Sequence, residues 1–133
     1  MKKWVLYLFT FNRPDFVIQA INSIENFLPF CDFVLVDDGS FCKGTKEVFG
    51  EIKKKGNWQI KIMKKQKQIY GGFYKNMNWA LKDALNKGYD YCYFFEDDEQ
   101  CLWQPKNFQK NIENIFDKCK DAHFIDTMFF TRT

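Results

Sequence analysis

The sequence predicts a single α/β domain, residues 1–133, with a mostly parallel sheet and helices on both faces. Three observations lead there. Short apolar runs of strand length recur at Trp4–Phe9, Phe33–Val36, Trp58–Met63 and Tyr91–Phe95. Between them lie segments whose apolar residues repeat at three and four positions, the spacing of one helix face. The two kinds alternate along the chain, and 133 residues suffice to bury a core of their own.

Trp4–Phe9 is continuously apolar, as a strand buried on both faces requires. The charged start Met1-Lys2-Lys3 imitates a signal peptide, yet Asn12-Arg13-Pro14 interrupts at once and no small-residue cleavage site follows, so a first strand is expected. Asn12 reads as an N-cap and Pro14 as a first-turn residue of a helix whose buried face is Phe16, Val17, Ala20, Ile21 and Ile24. Phe33–Val36 is a second strand, closed by the turn Asp37-Asp38-Gly39-Ser40. A helix over Thr45–Lys55 rests on Val48 and Ile52, and Trp58–Met63 alternates as a half-exposed third strand. After Gly71-Gly72 a helix from about Tyr74 to Lys87 carries Met77, Ala80, Leu81, Ala84 and Leu85, and Gly88 stops it. Tyr91–Phe95 is the fourth strand, with Cys92 as a small core residue, and Glu96-Asp97-Asp98-Glu99 follows it. A helix after Pro105 bears Phe108, Ile112, Ile115 and Phe116, and Ala122–Phe130 reads as a last strand, with His123 as a structural residue.

Composition narrows the function. Aromatic residues make up 20% of the chain, with 16 Phe, which excludes disorder. Five cysteines without a CxxC pair disfavour zinc and disulfide frameworks and suggest reduced thiols in the cytoplasm. A single histidine argues against a histidine triad or a multi-histidine metal site. The net charge of +3 conceals a basic middle: residues 43–87 carry +9, against −2 before and −4 after. Eighteen of the twenty basic residues are Lys, which does not suit bidentate reading of bases, so nucleic acid is not expected as a partner. A basic middle beside an acidic end suits a phosphorylated small molecule held with a cation, and peripheral contact with an anionic membrane stays open.

In an open α/β sheet, ligands bind beyond the carboxyl ends of the strands. Thr10–Arg13, Asp37-Asp38, the Gly71-Gly72 loop and Glu96–Glu99 all fall at such ends. Four adjacent carboxylates repel one another, so the run is either a solvated turn or a place for a hard cation such as Mg²⁺ or Mn²⁺. Asp37-Asp38-Gly39-Ser40 is either an ordinary turn or a pair of acceptors for a ribose hydroxyl and a base N–H, with Phe11 either a flat surface for that base or a core residue. No GxGxxG follows the first strand, which argues against a classical dinucleotide fold, and no GxxxxGK[ST] occurs, which excludes a P-loop.

Leu8–Pro14, Val36–Ser40, Gly72–Asn76 and Phe95–Asp98, in that order, resemble the nucleotide-sugar-binding half of GT-A glycosyltransferases of the family-2 type. The resemblance covers residues 4–105 and implies a Rossmann-like GT-A sheet. It implies transfer of a sugar from a UDP- or GDP-sugar donor to an acceptor hydroxyl, with Mn²⁺ or Mg²⁺. By position, Phe11 matches the residue packing on the base and Asp38 the acid that hydrogen-bonds it, with Asn12, Arg13 and Asp37 beside them. Lys75 stands where an arginine usually lies near the diphosphate, and Asn76 matches the asparagine after it. Glu96-Asp97-Asp98 looks like the DXD-type motif, with Asp98 and Glu96 on the metal and Asp97 near the ribose. Nothing after residue 105 matches the acceptor-binding half, which is expected to be short or missing, and no catalytic base is assigned. The alternative function is a non-catalytic or partner-dependent nucleotide-sugar-binding module.

Overall fold

A computed structural model describes residues 1–64 and 72–125. The chain divides into two compact units, Met1–Leu102 and Trp103–Thr133.

The first unit holds a four-stranded sheet in the order β3-β2-β1-β4, with every neighbouring pair parallel. The strands are β1 (Trp4–Thr10), β2 (Cys31–Asp37), β3 (Trp58–Ile62) and β4 (Tyr91–Glu96). All seven residues of β1 are buried, because it has a strand on each side and helices above and below. The helices of this unit are α1 (Pro14–Phe27), α2 (Thr45–Lys55) and α3 (Gly72–Asn86). The path β1-α1-β2-α2-β3 moves outward in one direction, whereas β3-α3-β4 returns across β2 and β1. Right-handed crossovers therefore put α1 and α2 on one face and α3 on the other.

Side chains on β1 alternate between these faces. Val5, Tyr7 and Phe9 pack with Val34 and Val36 of β2 and with Ala80 and Ala84 of α3. Leu6, Leu8 and Leu35 bury themselves on the opposite face, where α1 brings Val17, Ala20, Ile21 and Ile24 and α2 brings Val48, Phe49 and Ile52. The expected α1 face is present except for Phe16, which is half exposed. The α3 stripe is rotated from the expected one: Asn76, Ala80 and Ala84 are buried, while Leu81 and Leu85 face outward. Two contacts set this rotation. Trp79 meets the buried ring of Tyr7 edge to face at 6.3 Å, and the Tyr7 hydroxyl donates to Asp83 Oδ2 at 2.9 Å. Burial and that carboxylate push the Tyr7 hydroxyl well above its ordinary pKa, so it remains a donor.

Asn12 is not the N-cap of α1: Arg13 holds that position without a side-chain cap bond. Cys92 is exposed and not a core residue: among the described residues β4 pairs with β1 alone and stands at the edge of the sheet. In the second unit α4 (Phe108–Lys118) forms as expected, with Phe108, Ile112 and Phe116 half-buried and Ile115 exposed. Residues 122–125 are irregular, in contrast to the expected strand, and His123 is exposed; the remainder of that strand lies outside the described residues. No helix among the described residues is long and apolar enough to cross a membrane.

On the α1/α2 face, Glu25 ties three elements together. Its carboxylate accepts bonds from Lys55 Nζ, from Asn57 Nδ2 at 2.9 Å and from Trp58 Nε1 at 2.9 Å. Burial opposes the charge, but these donors outweigh it and hold the carboxyl below the usual Glu range. The folded value lies below the unfolded one, so this stabilisation is present above about pH 4.3 and is lost as pH falls through the lowered folded value. Glu25→Gln is expected to lose about 1 kcal/mol at pH 7 and to flatten stability between about pH 3 and 5. Urea unfolding of both proteins across that range tests it, and parallel curves would refute the assignment.

Candidate functional site

The register of the sheet levels three strand ends. Thr10 of β1 pairs with Asp37 of β2, and Phe9 pairs with Glu96 of β4. Backbone bonds carry the ladder one step further: Asp38 N–H donates to Thr10 O at 3.0 Å, and Asp97 N–H to Phe9 O at 3.1 Å. Segments 10–13, 37–40 and 96–99 therefore meet at one edge, although 87 residues separate Thr10 from Asp97. The edge lies where β1 sends its chain to β2 on one side and receives β4 on the other, which is the switch point in strand order where α/β sheets open a crevice.

Asp37 closes its own turn. It is 1% exposed and accepts from Ser40 Oγ, from Ser40 N–H at 2.9 Å and from Gly39 N–H at 3.2 Å. Burial raises its pKa in spite of these donors. Both its oxygens are committed, so the turn keeps Asp37 and leaves Asp38 for other work. Asp38 Oδ1 accepts from Asn76 Nδ2 at 3.0 Å. A Cβ on Gly72 would lie 2.0 Å from Asp38 Oδ2, so only glycine lets this carboxylate rest against the start of α3. Asn76 is buried, and its Oδ1 has no hydrogen-bond partner among the described residues. Lys75, one residue earlier, is exposed.

Asn12 builds the aromatic corner. With φ at 54° it turns the chain sharply after β1, a conformation that asparagine tolerates better than most residues. Its N–H donates to Ser40 Oγ at 2.7 Å, and its Oδ1 accepts from Phe41 N–H at 2.8 Å and Cys42 N–H at 3.1 Å. Phe11 and Phe41 are thereby set edge to face with centroids 6.0 Å apart, both exposed. Phe11 is thus a surface residue and not core. Phe41 escaped sequence reading; its signal was its position directly after the Asp37–Ser40 turn.

The acidic run is divided in the same manner. Asp97 is 6% exposed and its Oδ2 accepts from Thr10 Oγ1 at 2.7 Å. Asp98 is half exposed and meets Arg13 Nη1 at 3.2 Å; the same nitrogen lies 3.3 Å from Asp97 Oδ1. Glu96 is exposed, with its pKa raised by desolvation and by the charges of Asp98, Glu99 and Asp97. No group of three or more His, Cys, Asp or Glu side chains among the described residues forms a complete metal-binding set. Two adjacent carboxylates only partly offset by one cationic side chain fit a hard divalent ion of the kind that binds one or two carboxylates plus substrate phosphates. The structure brings together Phe11, Asn12, Arg13, Asp37, Asp38, Asn76, Asp97, Asp98 and Glu96 around the ends of β1, β2 and β4, with Lys75 on the first turn of α3.

Comparison with known proteins agrees with this geometry. The sequence profile described as Glycosyl transferase family 2 matches residues 6–127. Among solved structures, residues 1–349 of S. aureus TarS share 21% identity with this chain at a TM-score of 0.63, covering 89% of it. The same protein in complex with UDP gives 0.62 at 21% identity, again covering 89% of this chain and 33% of that one. The mannosyltransferase PcManGT of Pyrobaculum calidifontis, in complex with GDP-Man and Mn²⁺, gives 0.61 at 14% identity over 86% of this chain and 32% of that one. At such identities the likeness is one of fold, and the chain spans about a third of the length of these proteins. No curated protein matches. With a four-stranded parallel sheet of GT-A type and a profile match over nearly its whole length, the chain belongs to glycosyl transferase family 2.

Proposed function

We propose that this chain binds a nucleotide-diphosphate sugar at the carboxyl edge of its sheet and takes part in transferring the sugar to an acceptor hydroxyl. One observation carries the reading: Asp38, Asp97, Asp98 and Arg13 converge at the switch point in a family-2 chain. Proteins of the same fold hold UDP or GDP-Man, which supports a UDP- or GDP-linked donor.

Each residue has work suited to its placement. Asp38, steadied by Asn76 and backed by Gly72, accepts an N–H from the base, and Phe11 with Phe41 offers it a flat apolar wall. Asp97 Oδ1, the oxygen not taken by Thr10, accepts from a ribose hydroxyl. Arg13 and Lys75 supply positive charge for the diphosphate. Asp98, with Glu96 beside it, holds Mn²⁺ or Mg²⁺. Such an ion, when bound, offsets the charge that develops on the departing nucleoside diphosphate. The Mn²⁺ in PcManGT supports that assignment. Five free cysteines support a reducing, cytoplasmic setting.

A second reading is a module that holds the donor and relies on another segment or chain for the base. The two differ in whether the protein consumes donor sugar in the presence of acceptor.

Calorimetric titration of UDP and GDP, with and without Mn²⁺, tests the donor site. One nucleotide is expected to bind with Mn²⁺, and Asp98→Asn to weaken that binding roughly 30-fold while leaving metal-free binding unchanged. Binding indifferent to Mn²⁺, or equal in the variant, would overturn the assignment. Gly72→Ala tests Asp38 separately. The added methyl displaces the Asp38 carboxylate and takes its acceptor from the buried Asn76 amide, so stability should fall by about 1–2 kcal/mol with the fold retained. Nucleotide affinity should fall roughly tenfold as Asp38 leaves its place. Undiminished affinity would remove Asp38 from the base-binding role.

A further inference from the structure

Arg13 sits among the acids on weak terms. One nitrogen, Nη1, spans Asp97 Oδ1 at 3.3 Å and Asp98 Oδ2 at 3.2 Å, in place of the short paired bonds of a bidentate fork. The Arg13 and Asp98 side chains are 50% and 49% exposed, so solvent screens the pair. The two acids are not equally dependent on it. Asp97 keeps Thr10 Oγ1 at 2.7 Å and its backbone bond to Phe9, whereas Asp98 has no other hydrogen-bond partner among the described residues. In this same position the guanidinium carbon lies 5.9 Å from the ring centroid of Phe16, a contact that does not depend on the acids.

We infer that Arg13 is the resident counter-ion of Asp98, a positioning residue that yields this carboxylate to a divalent cation and then turns its guanidinium to the donor's diphosphate. The inference rests on the donor-site reading and deepens it. While Arg13 neutralises Asp98, the acidic edge is quiet without ligand, and a bare cation must compete with a charge already in place. When cation and diphosphate arrive together, the released guanidinium gains a stronger anionic partner than the one it gave up. Arg13 thus favours the cation–nucleotide pair over either ligand alone, which is a coupling between two ligands at adjoining positions.

The experiment measures Mn²⁺ binding without nucleotide, by calorimetry and Mn²⁺ electron paramagnetic resonance, and then UDP and GDP binding at saturating Mn²⁺. It compares the parent chain, Arg13→Gln and Arg13→Met. Both variants are expected to bind Mn²⁺ alone roughly three- to tenfold more tightly, since a nearby positive charge is gone. They should bind nucleotide roughly tenfold more weakly. Opposite signs are the signature; Mn²⁺ binding that is unchanged or weaker in the variants overturns the inference. Nucleotide binding by the parent chain with Mn²⁺ decides the donor-site reading independently of the variants. As a check that needs no substitution, adding Mg²⁺ alone to the parent chain should shift the Arg13 Nε–H signal in its nuclear magnetic resonance spectrum. An unmoved signal under Mg²⁺ saturation would equally refute the exchange.

Discussion

Parallel pairing of β1 on both of its edges is the constraint from which the rest of this molecule follows. A strand with neighbours on both sides and helices on both faces has no solvent to turn toward, which is why all seven residues of Trp4–Thr10 are buried. The same pairing fixes how far each neighbour runs. Since Thr10 stands level with Asp37, and Phe9 with Glu96, the turns after β2 and β4 must emerge beside the turn after β1. A slip of one residue would swap the faces of a strand and also separate Thr10 from Asp97, so core packing and site assembly enforce one register.

That geometry creates an electrostatic difficulty which it also limits. Glu96, Asp97, Asp98 and Glu99 are consecutive, and their mutual repulsion joins burial in raising the pKa of Glu96. Thr10 and Arg13, on the segment leaving β1, bring a hydroxyl and a guanidinium to the two middle acids. The charge of Arg13 is stabilised in return, first by Asp97 and then by Asp98. A single positive charge does not neutralise four negative ones. The edge therefore retains a net attraction for cations, with a positive group beside it for an anion.

The elements were legible where apolar pattern alone decides them. β3 and α2 lie where periodicity placed them, to within a residue, and β1, β2 and β4 only gain a residue or two at their ends. The convergence of segments 10–13, 37–40 and 96–99 could also be read from strand order and the rule that ligands gather at carboxyl ends; of the Gly71-Gly72 loop, Gly72 lies beside Asp38 and Gly71 lies outside the described residues. What could not be read were features that depend on contacts across the sheet. The buried face of α3 is turned by Trp79 and Asp83 on Tyr7 and includes Asn76, whose amide reaches Asp38 across 38 residues, so Leu81 and Leu85 face outward. Asn12 reads locally as a helix cap, yet its amide serves the backbone of Phe41 and Cys42 thirty residues on. Cys92 reads as core from its apolar neighbours, but the strand order puts β4 at the edge of the sheet among the described residues. Polar side chains with one strong tertiary bond are the ones that local pattern misplaces.

The two acid pairs divide support from presentation. In each pair the two carboxylates have different main partners, although Arg13 Nη1 reaches both acids of the second pair. In Asp37-Asp38 the first is sealed inside its own turn by Ser40 and Gly39, and the second faces Gly72 and Asn76. In Asp97-Asp98 the first is locked by Thr10, and the second lies half exposed with Arg13 as its one side-chain partner among the described residues. Each buried partner loses freedom in fixing the loop, and each outer partner is thereby presented at a defined place without having to hold itself there. A ligand meeting Asp38 and Asp98 meets carboxylates whose loops are already ordered, so little of its binding energy is spent on arranging them. The doubled acids at the ends of β2 and β4 are therefore not redundant: removing the inner one would dismantle the platform, and removing the outer one would leave the platform intact with nothing on it.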